Sequence, residues 1–435
     1  MTDKFTVGPT VSQGSIGGGL ISTINLDFSI NRFFINSSNE IYYYGVRMHP
    51  LIYQDDLGRF SSNRLDAQAG NDKIEACMET KLLDLHQDKS CYIVIGSQKS
   101  TSNLKNELKE YPLTLYGGKM AEKQSERYLG DYIHEGGVSA SVEATVNHRY
   151  GKLIHGLKEI KAIVEDCRSN TIGGLKVGLD IWESAYIPSL LNNSSTWMEM
   201  DEATLNKLEE MQNSFYRNLF DVQYTTPKAA LVWEVGGMKI KFRIMMNKII
   251  FMNHILNLNE NTLARQVQIA QQENESPGLT EEVKKYIRDL NLPSCFDNYF
   301  SKSKWKTLVK NAIRKANEEE IRESIKPYKK MKRIKVEEEK FERKDYLTSL
   351  SLCKARTLFK HKYSMTENVK MNFKNDKSFA NSLWKCSECQ NQDSEIHLLW
   401  CPGYVDYREG LDLKSDSDLC TYLQKIFIKR CNDKK

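Results

Sequence analysis

The stretch Pro50-Leu51-Ile52-Tyr53-Gln54-Asp55-Asp56-Leu57-Gly58-Arg59-Phe60 decides how this chain is read. Aliphatic and aromatic residues flank Gln54-Asp55-Asp56, a pattern that predicts two short strands meeting at an acidic turn. An Asp-Asp pair alone is compatible with a solvated turn. Held at the tip of a rigid hairpin, two adjacent carboxylates also suit two divalent ions about 3.5–4 Å apart, the arrangement used for in-line phosphoryl transfer.

Outward from the hairpin, Ala69, Ile74, Cys77 or Met78, and Leu82 recur at three-to-four spacing and predict a helix over about 66–85. Cys91-Tyr92-Ile93-Val94-Ile95 then reads as a strand. Strand signals dominate only up to about residue 135. From about 141 to 256 the pattern is helical, with Leu153, Leu157, Ile160 and Val164 on one face and Leu205, Leu208, Met211, Phe215 and Leu219 on another. Trp182, Tyr186, Trp197 and Trp233 in this region read as core anchors rather than stacking platforms. Leu350 to Phe359 is helical again, and a Cys/His element begins near Trp384. The fold class expected is α+β, with no internal repeat.

Composition narrows the function classes. Hydrophobic residues make up 40% and charged residues 27% of the 435, ordinary globular usage that argues against a low-complexity chain. No apolar run reaches the ~18 residues of a membrane span, and the start, MTDKFTVGPT, lacks the basic and apolar regions of a secretory signal. Of ten cysteines, Cys77, Cys91, Cys167, Cys295, Cys353, Cys420 and Cys431 stand isolated, which suggests a reducing compartment rather than a disulfide framework. Net charge is only +5, yet residues 302–345 hold 16 Lys/Arg against 9 Asp/Glu. Within it, the run from Glu318 to Lys344 reads as a long solvated helix, or alternatively as an RNA-contacting or nuclear-import patch at Lys329-Lys330-Met331-Lys332-Arg333-Ile334-Lys335.

Near the C-terminus Cys386, Cys389, His397 and Cys401 give the spacing C-x2-C-x7-H-x3-C. Two thiolates on a tight turn, with an imidazole and a third thiolate one helical turn apart, predict a closed tetrahedral Zn²⁺ shell with a structural role.

The order of these segments resembles the reverse transcriptases of non-LTR (LINE-type) retrotransposons. Gln13-Gly14-Ser15, followed by Gly17-Gly18-Gly19, is similar to the family's Gln-Gly-Ser segment under the template base and incoming nucleotide. Tyr53-Gln54-Asp55-Asp56 resembles the Tyr/Phe-x-Asp-Asp metal motif, with Gln54 where many members carry alanine. The resemblance implies a nucleotide- and template-binding role for Gln13, Gly14, Ser15, Tyr53 and Gln54. It makes Asp55 a direct Mg²⁺ ligand and Asp56 a support for the charge of that site. Lys89, in Asp88-Lys89-Ser90, is similar to the lysine proposed to protonate the leaving pyrophosphate, work suited to a primary ammonium. Arg127-Tyr128-Leu129-Gly130 resembles the primer-grip turn, with Tyr128, Leu129 and Gly130 as its residues. The Cys/His element, with His-Leu-Leu-Trp-Cys-Pro and nearby Tyr404 and Arg408, resembles the zinc knuckle after the thumb, where Trp384, Lys385 and Trp400 suit contact with single strands, Trp400 being equally suited to packing beneath the knuckle.

The resemblance therefore implies a partial palm at 1–135, a helical thumb at 136–265, a basic helical connecting region at 266–380 and a zinc knuckle at 381–435. It implies an RNA template and DNA primer as partners and nuclear residence. Only twelve residues precede Gln13, too few for the family's earlier aspartate strand and fingers, so these 435 residues are expected to polymerise little by themselves. The alternative is a non-catalytic RNA-binding protein that uses the thumb, the basic helix and the knuckle.

Overall fold

The computed structural model describes residues 41–48, 50–53, 56–81, 83–166, 172–328, 338–363, 386, 388–391 and 395–432. These residues are mostly helical with a few small strands, compatible with an α+β class. The chain divides into two compact units built from interleaved stretches. One comprises Met1–His148, Asn192–Thr204 and Asn247–Val309, and the other Arg149–Leu191, Leu205–Met246 and Lys310–Lys435.

In the first unit, strands β1 (Tyr42–Tyr43) and β2 (Val46–Arg47) form a hairpin, as do β3 (Leu51–Tyr53) and β4 (Asp56–Gly58), which pair antiparallel in the register Tyr53↔Asp56. Helix α1 (Arg64–Thr80) follows, capped by Asn63, whose side chain accepts the Asp66 amide. Ile74, Cys77 and Met78 on α1 are buried against Ile52 and Leu57, so the apolar face of this helix seats the β3–β4 hairpin. Strand β5 (Cys91–Tyr92) precedes helix α2 (Gln98–Glu110), then β6 (Thr114–Leu115), β7 (Gly118–Lys119) and β8 (Ala121–Glu122). β5 and β8 pair in parallel, and Val94, Leu108, Leu113, Leu115 and Met120 bury a second small core. Strands β9 (Ser125–Tyr128) and β10 (Asp131–His134) complete the strand inventory of the described residues.

Three of these hairpins share one turn chemistry. Tyr44-Gly45, Tyr116-Gly117 and Leu129-Gly130 are two-residue connections with φ positive at both positions, from +45° to +48° at the first and +73° to +91° at the second. Such turns match the right-handed twist of the strands they join, and glycine takes the second position without a Cβ clash.

The rest is helical: α3 (Val138–Asp166), α4 (Gly174–Ile181), α5 (Ile187–Leu190), α6 (Glu202–Phe220), α7 (Lys228–Val235), α8 (Ile240–Leu256), α9 (Leu263–Glu273), α10 (Leu279–Asp289), α11 (Lys302–Ile325), α12 (Tyr346–Ser349), α13 (Leu352–Lys362), α14 (Glu395–Trp400), α15 (Val405–Arg408) and α16 (Asp416–Asn432). In the second unit, Leu157, Ile160 and Val164 of α3 and Leu208, Met211, Phe215 and Leu219 of α6 are buried, the faces their spacing predicts. Trp182 stacks on Phe215 with ring centroids 4.4 Å apart. Trp182 lies in a π-helical turn, Trp182–Tyr186, between α4 and α5.

Three expectations need correction. The helix after the acidic hairpin runs Arg64–Thr80, ending before Leu83 because Lys81 and Leu83 both turn back their amides to Met78. The strand expected over 91–95 keeps only Cys91–Tyr92, since its parallel partner β8 is itself two residues long. The solvated helix expected over 318–344 ends at Ile325 instead. Near the far end of that stretch the chain leaves helical geometry, where the Lys344 amide donates to the Glu234 carbonyl at 3.1 Å and Arg343 pairs with Asp180 at 2.8 Å. The basic run 329–335 lies outside the described residues.

Candidate functional site

The acidic hairpin sits on a defined platform within the first unit. Its strands rest on α1, and the Tyr128 hydroxyl, at the end of β9, donates to the Leu51 carbonyl at 3.2 Å. The Tyr128 ring also covers Gly58, where a Cβ would stand 3.3 Å from the ring carbon bearing the hydroxyl. Burial pushes the Tyr128 phenol up, and the negative charge of Asp56 adds to the effect. The hairpin and the Tyr128-Leu129-Gly130 turn, 77 residues apart between Leu51 and Tyr128, are therefore brought together.

At that turn Leu129 adopts φ +48° and is 41% exposed. A γ-branched residue held in the left-handed region carries steric cost, which the hydrogen bond from Asn193 Nδ2 to the Leu129 carbonyl at 3.1 Å helps to hold. Tyr53 and Asp56 are exposed beside the two-residue connection. Lys89 closes a one-turn 3-10 helix, Gln87–Lys89, and is exposed without an ion pair among the described residues. Gln13, Gly14, Ser15, Gln54 and Asp55 lie outside the described residues. Asp56 is thus the one described carboxylate of the expected Mg²⁺ pair.

Among the described residues the Cys/His element is the most complete metal-ligand constellation. The ligand atoms of Cys386, Cys389, His397 and Cys401 all lie within 4.8 Å of one another. Cys386 Sγ and Cys389 Sγ are each 3.6 Å from Cys401 Sγ, and Cys389 Sγ is 3.2 Å from His397 Nε2. A tetrahedral zinc ion with Zn–S bonds of about 2.3 Å separates its sulfurs by about 3.8 Å, so this donor set fits Zn²⁺ in size, softness and number. With all four positions filled by protein, the ion would have no open site for substrate, which makes its role structural.

The sequence builds this cage locally. The Cys386 amide donates to the Asn391 carbonyl at 2.7 Å and the Gln390 amide to the Cys386 carbonyl at 2.9 Å, folding the first two thiols into a tight turn. Helix α14 carries His397 and hands on to Cys401 one turn later, just past its end, with the Cys401 amide donating to the His397 carbonyl at 2.7 Å. Burial pushes the Cys386 thiol up, but the amides of Cys389 and Glu388, with His397 and Cys401, outweigh it and hold it down at about 7. Burial and the neighbouring Cys389 push the Cys401 thiol up to about 12.

Helix α16 closes the element. Leu398, Tyr404, Tyr422, Leu423 and Ile426 form a core with Cys386 and Cys401. Tyr404 places its hydroxyl 4.0 Å from Cys386 Sγ, and Arg430 Nε donates to that hydroxyl at 2.9 Å. Arg408 donates to the Leu399 carbonyl at 2.9 Å, and the Tyr422 hydroxyl donates to the Leu398 carbonyl. The role of Arg430 was not visible in the spacing of the ligands. The only signal for it is the apolar periodicity of Leu419, Tyr422, Leu423 and Ile426, which turns α16 toward the cage.

The tryptophans divide sharply. Trp182, Trp197, Trp233 and Trp305 are 0–2% exposed, whereas Trp400 is 74% exposed and does not pack beneath the knuckle. Trp384 and Lys385 lie outside the described residues. No family model, curated protein or solved structure matches this chain.

Proposed function

We propose that the chain handles nucleic acid in the manner of a LINE-type reverse transcriptase, as the palm, thumb and zinc-knuckle portion of such an enzyme, with an RNA template and DNA primer as ligands. The observation that carries this reading is the contact of Tyr128 with Leu51 and Gly58. It brings the segment that resembles a primer grip against the hairpin that resembles the metal motif, which is the neighbourhood a primer terminus needs. Asp55 and Asp56 would hold Mg²⁺, which supplies charge neutralisation for phosphoryl transfer when bound. The Cys386/Cys389/His397/Cys401 cage supports a Zn²⁺ ion that fixes the C-terminal element. Nuclear residence follows from this reading and from the basic run 329–335.

The second reading, a non-catalytic RNA-binding protein, is favoured by the completeness of the zinc cage, whose closed shell serves folding rather than chemistry. Binding to a labelled RNA–DNA template–primer hybrid, measured with zinc-loaded protein with and without Mg²⁺, tests both. Mg²⁺-dependent preference for the hybrid over single-stranded RNA, reduced by Asp55→Ala, supports the first reading. Equal, Mg²⁺-independent binding unaffected by Asp55→Ala supports the second, and absence of binding contradicts both.

A further inference from the structure

Helix α11 carries a charge pattern that its own stability does not explain. Its apolar stripe, Trp305, Val309, Ile313, Ile321 and Ile325, is 0–3% exposed. Beside it, Lys302, Lys306, Lys310 and Arg314 recur at every fourth position, and all four are exposed. Residues 302–317 contain six cations and no acidic residue. Among the described residues none of these four has an ion-pair partner.

The second half of the same helix is built differently. There Glu318 pairs with Arg322 at 2.6 Å, Lys315 with Glu319 at 3.9 Å, and Lys326 with Glu323 at 2.6 Å. Glu318 lies one turn beyond Arg314 but bonds Arg322 through both Nε and Nη2, at 3.0 and 2.6 Å. The first half thus sets like charges at i,i+4, which repel, and places Lys302 and Lys304 in the first turn, where the helix dipole disfavours cations. Among the described residues no ion pair offsets either penalty, although Lys304 lies over the Phe300 ring at 5.9 Å.

We propose that the Lys302/Lys306/Lys310/Arg314 face of α11 is a docking stripe for the sugar-phosphate backbone of a nucleic-acid strand. The proposal rests on the nucleic-acid reading above and names the surface it uses. All four cations lie on one helix, so their spacing is set by the helix alone: one cation every ~6 Å over ~18 Å. A strand that presents one phosphate per ~3.4 Å of axis offers about five phosphates along that length. An anionic bilayer is the poorer fit, because interfacial helices insert an apolar face next to their cations, and the apolar face of α11 is already buried in the protein.

The test compares the zinc-loaded wild-type chain with Lys302→Gln/Lys306→Gln/Lys310→Gln/Arg314→Gln. A control of equal charge change is Lys73→Gln/Lys99→Gln/Lys109→Gln/Lys119→Gln, at half-buried Lys73 on α1 and three exposed lysines on α2 and β7, outside the expected thumb, the stripe and the knuckle. Affinity for a 20-nucleotide single-stranded RNA and for an RNA–DNA hybrid is measured across salt concentrations. The log–log salt slope of the stripe variant should be shallower than wild type by about 3, at 0.7–0.9 per lost phosphate contact, while the control slope is unchanged. Thermal unfolding of the stripe variant should be no lower than that of wild type, since only repulsions are removed.

Wild-type binding with equal slopes in both variants overturns the stripe and leaves the nucleic-acid reading standing. Loss of binding to phosphatidylserine vesicles in the stripe variant, with RNA binding intact, also overturns it in favour of a membrane surface. Failure of the wild-type chain to bind either nucleic acid overturns both.

Discussion

The hydroxyl of Tyr128 donates to the carbonyl of Leu51 at 3.2 Å, joining the end of strand β9 to the first strand of the acidic hairpin. The same ring lies over Gly58 on the second strand, so one aromatic side chain spans both strands of the hairpin. A two-stranded hairpin is marginal in isolation, and this cover, with α1 beneath, is what holds its tip in one geometry.

Removing the hydroxyl tests that cover. Tyr128→Phe keeps the ring over Gly58 but loses the bond to Leu51, and should cost about 0.5–1.5 kcal/mol of local stability. Amide exchange of residues 51–58 should quicken while that of α1 stays unchanged. Unaltered exchange at those amides would show that the hairpin does not depend on Tyr128.

Around the metal cage, Arg430 holds the Tyr404 hydroxyl that faces Cys386. Groups that orient ligands in this way typically change metal affinity by 10–100-fold. Arg430→Ala and Tyr404→Phe should each weaken Zn²⁺ by that range in competition with a chromophoric chelator, with the stoichiometry of one ion per chain retained. Cys386→Ser should abolish tight binding, because a closed four-ligand shell loses a thiolate.

Alkaline pH should unfold the second unit. Burial raises the phenol of Tyr216, with the charge of Glu183 adding to the effect. Burial followed by the charge of Glu234 raises those of Tyr346 and Tyr363. In the unfolded chain a tyrosine loses its proton near pH 10, while these three keep theirs in the fold. Above that pH the unfolded state binds fewer protons than the native state, so stability falls as pH rises past 10 and is unaffected by these groups below it. Denaturant midpoints at pH 8, 9 and 10.5 should show a drop confined to the last interval. The Tyr363 hydroxyl also donates to buried Glu234 Oε1 at 2.8 Å, so Tyr363→Phe should cost about 1–3 kcal/mol at neutral pH.

Gly236 ends α7 with φ +61°, and a Cβ there would stand 2.4 Å from the backbone nitrogen of Arg343. Gly236→Ala meets both the left-handed strain and a backbone clash, and should destabilise by at least about 1–2 kcal/mol in denaturant unfolding. A change near zero would mean that the 342–343 backbone moves aside freely.

How much of this was legible in the sequence differs by element. The acidic hairpin, the buried faces of α3 and α6 and the zinc spacing could be read because each depends on near neighbours: a two-residue turn, a helical period, a ligand pair on one helical turn. The end of α11 could not. Charge continues unbroken from Glu318 to Lys344, yet the chain leaves the helix after Ile325, and the Lys344 amide bonds a carbonyl 110 residues earlier at Glu234. Arg430 was missed for the same reason: its partner, Tyr404, is 26 residues away and no local pattern links them. The turn at Leu129 sits between these cases. Its glycine signals the hairpin, but a leucine at φ +48° is not what turn statistics favour, and only the bond from Asn193 reveals how it is held.

The most direct test of the central claim is where a primer terminus lies on the protein. A template–primer hybrid carrying a photoreactive thionucleotide at the primer 3′ end should, on irradiation with the zinc-loaded chain, crosslink within residues 125–134 around the Tyr128-Leu129-Gly130 turn. A crosslink mapping only to the C-terminal element, or no crosslink at a concentration where the hybrid binds, would contradict the reverse-transcriptase-type reading.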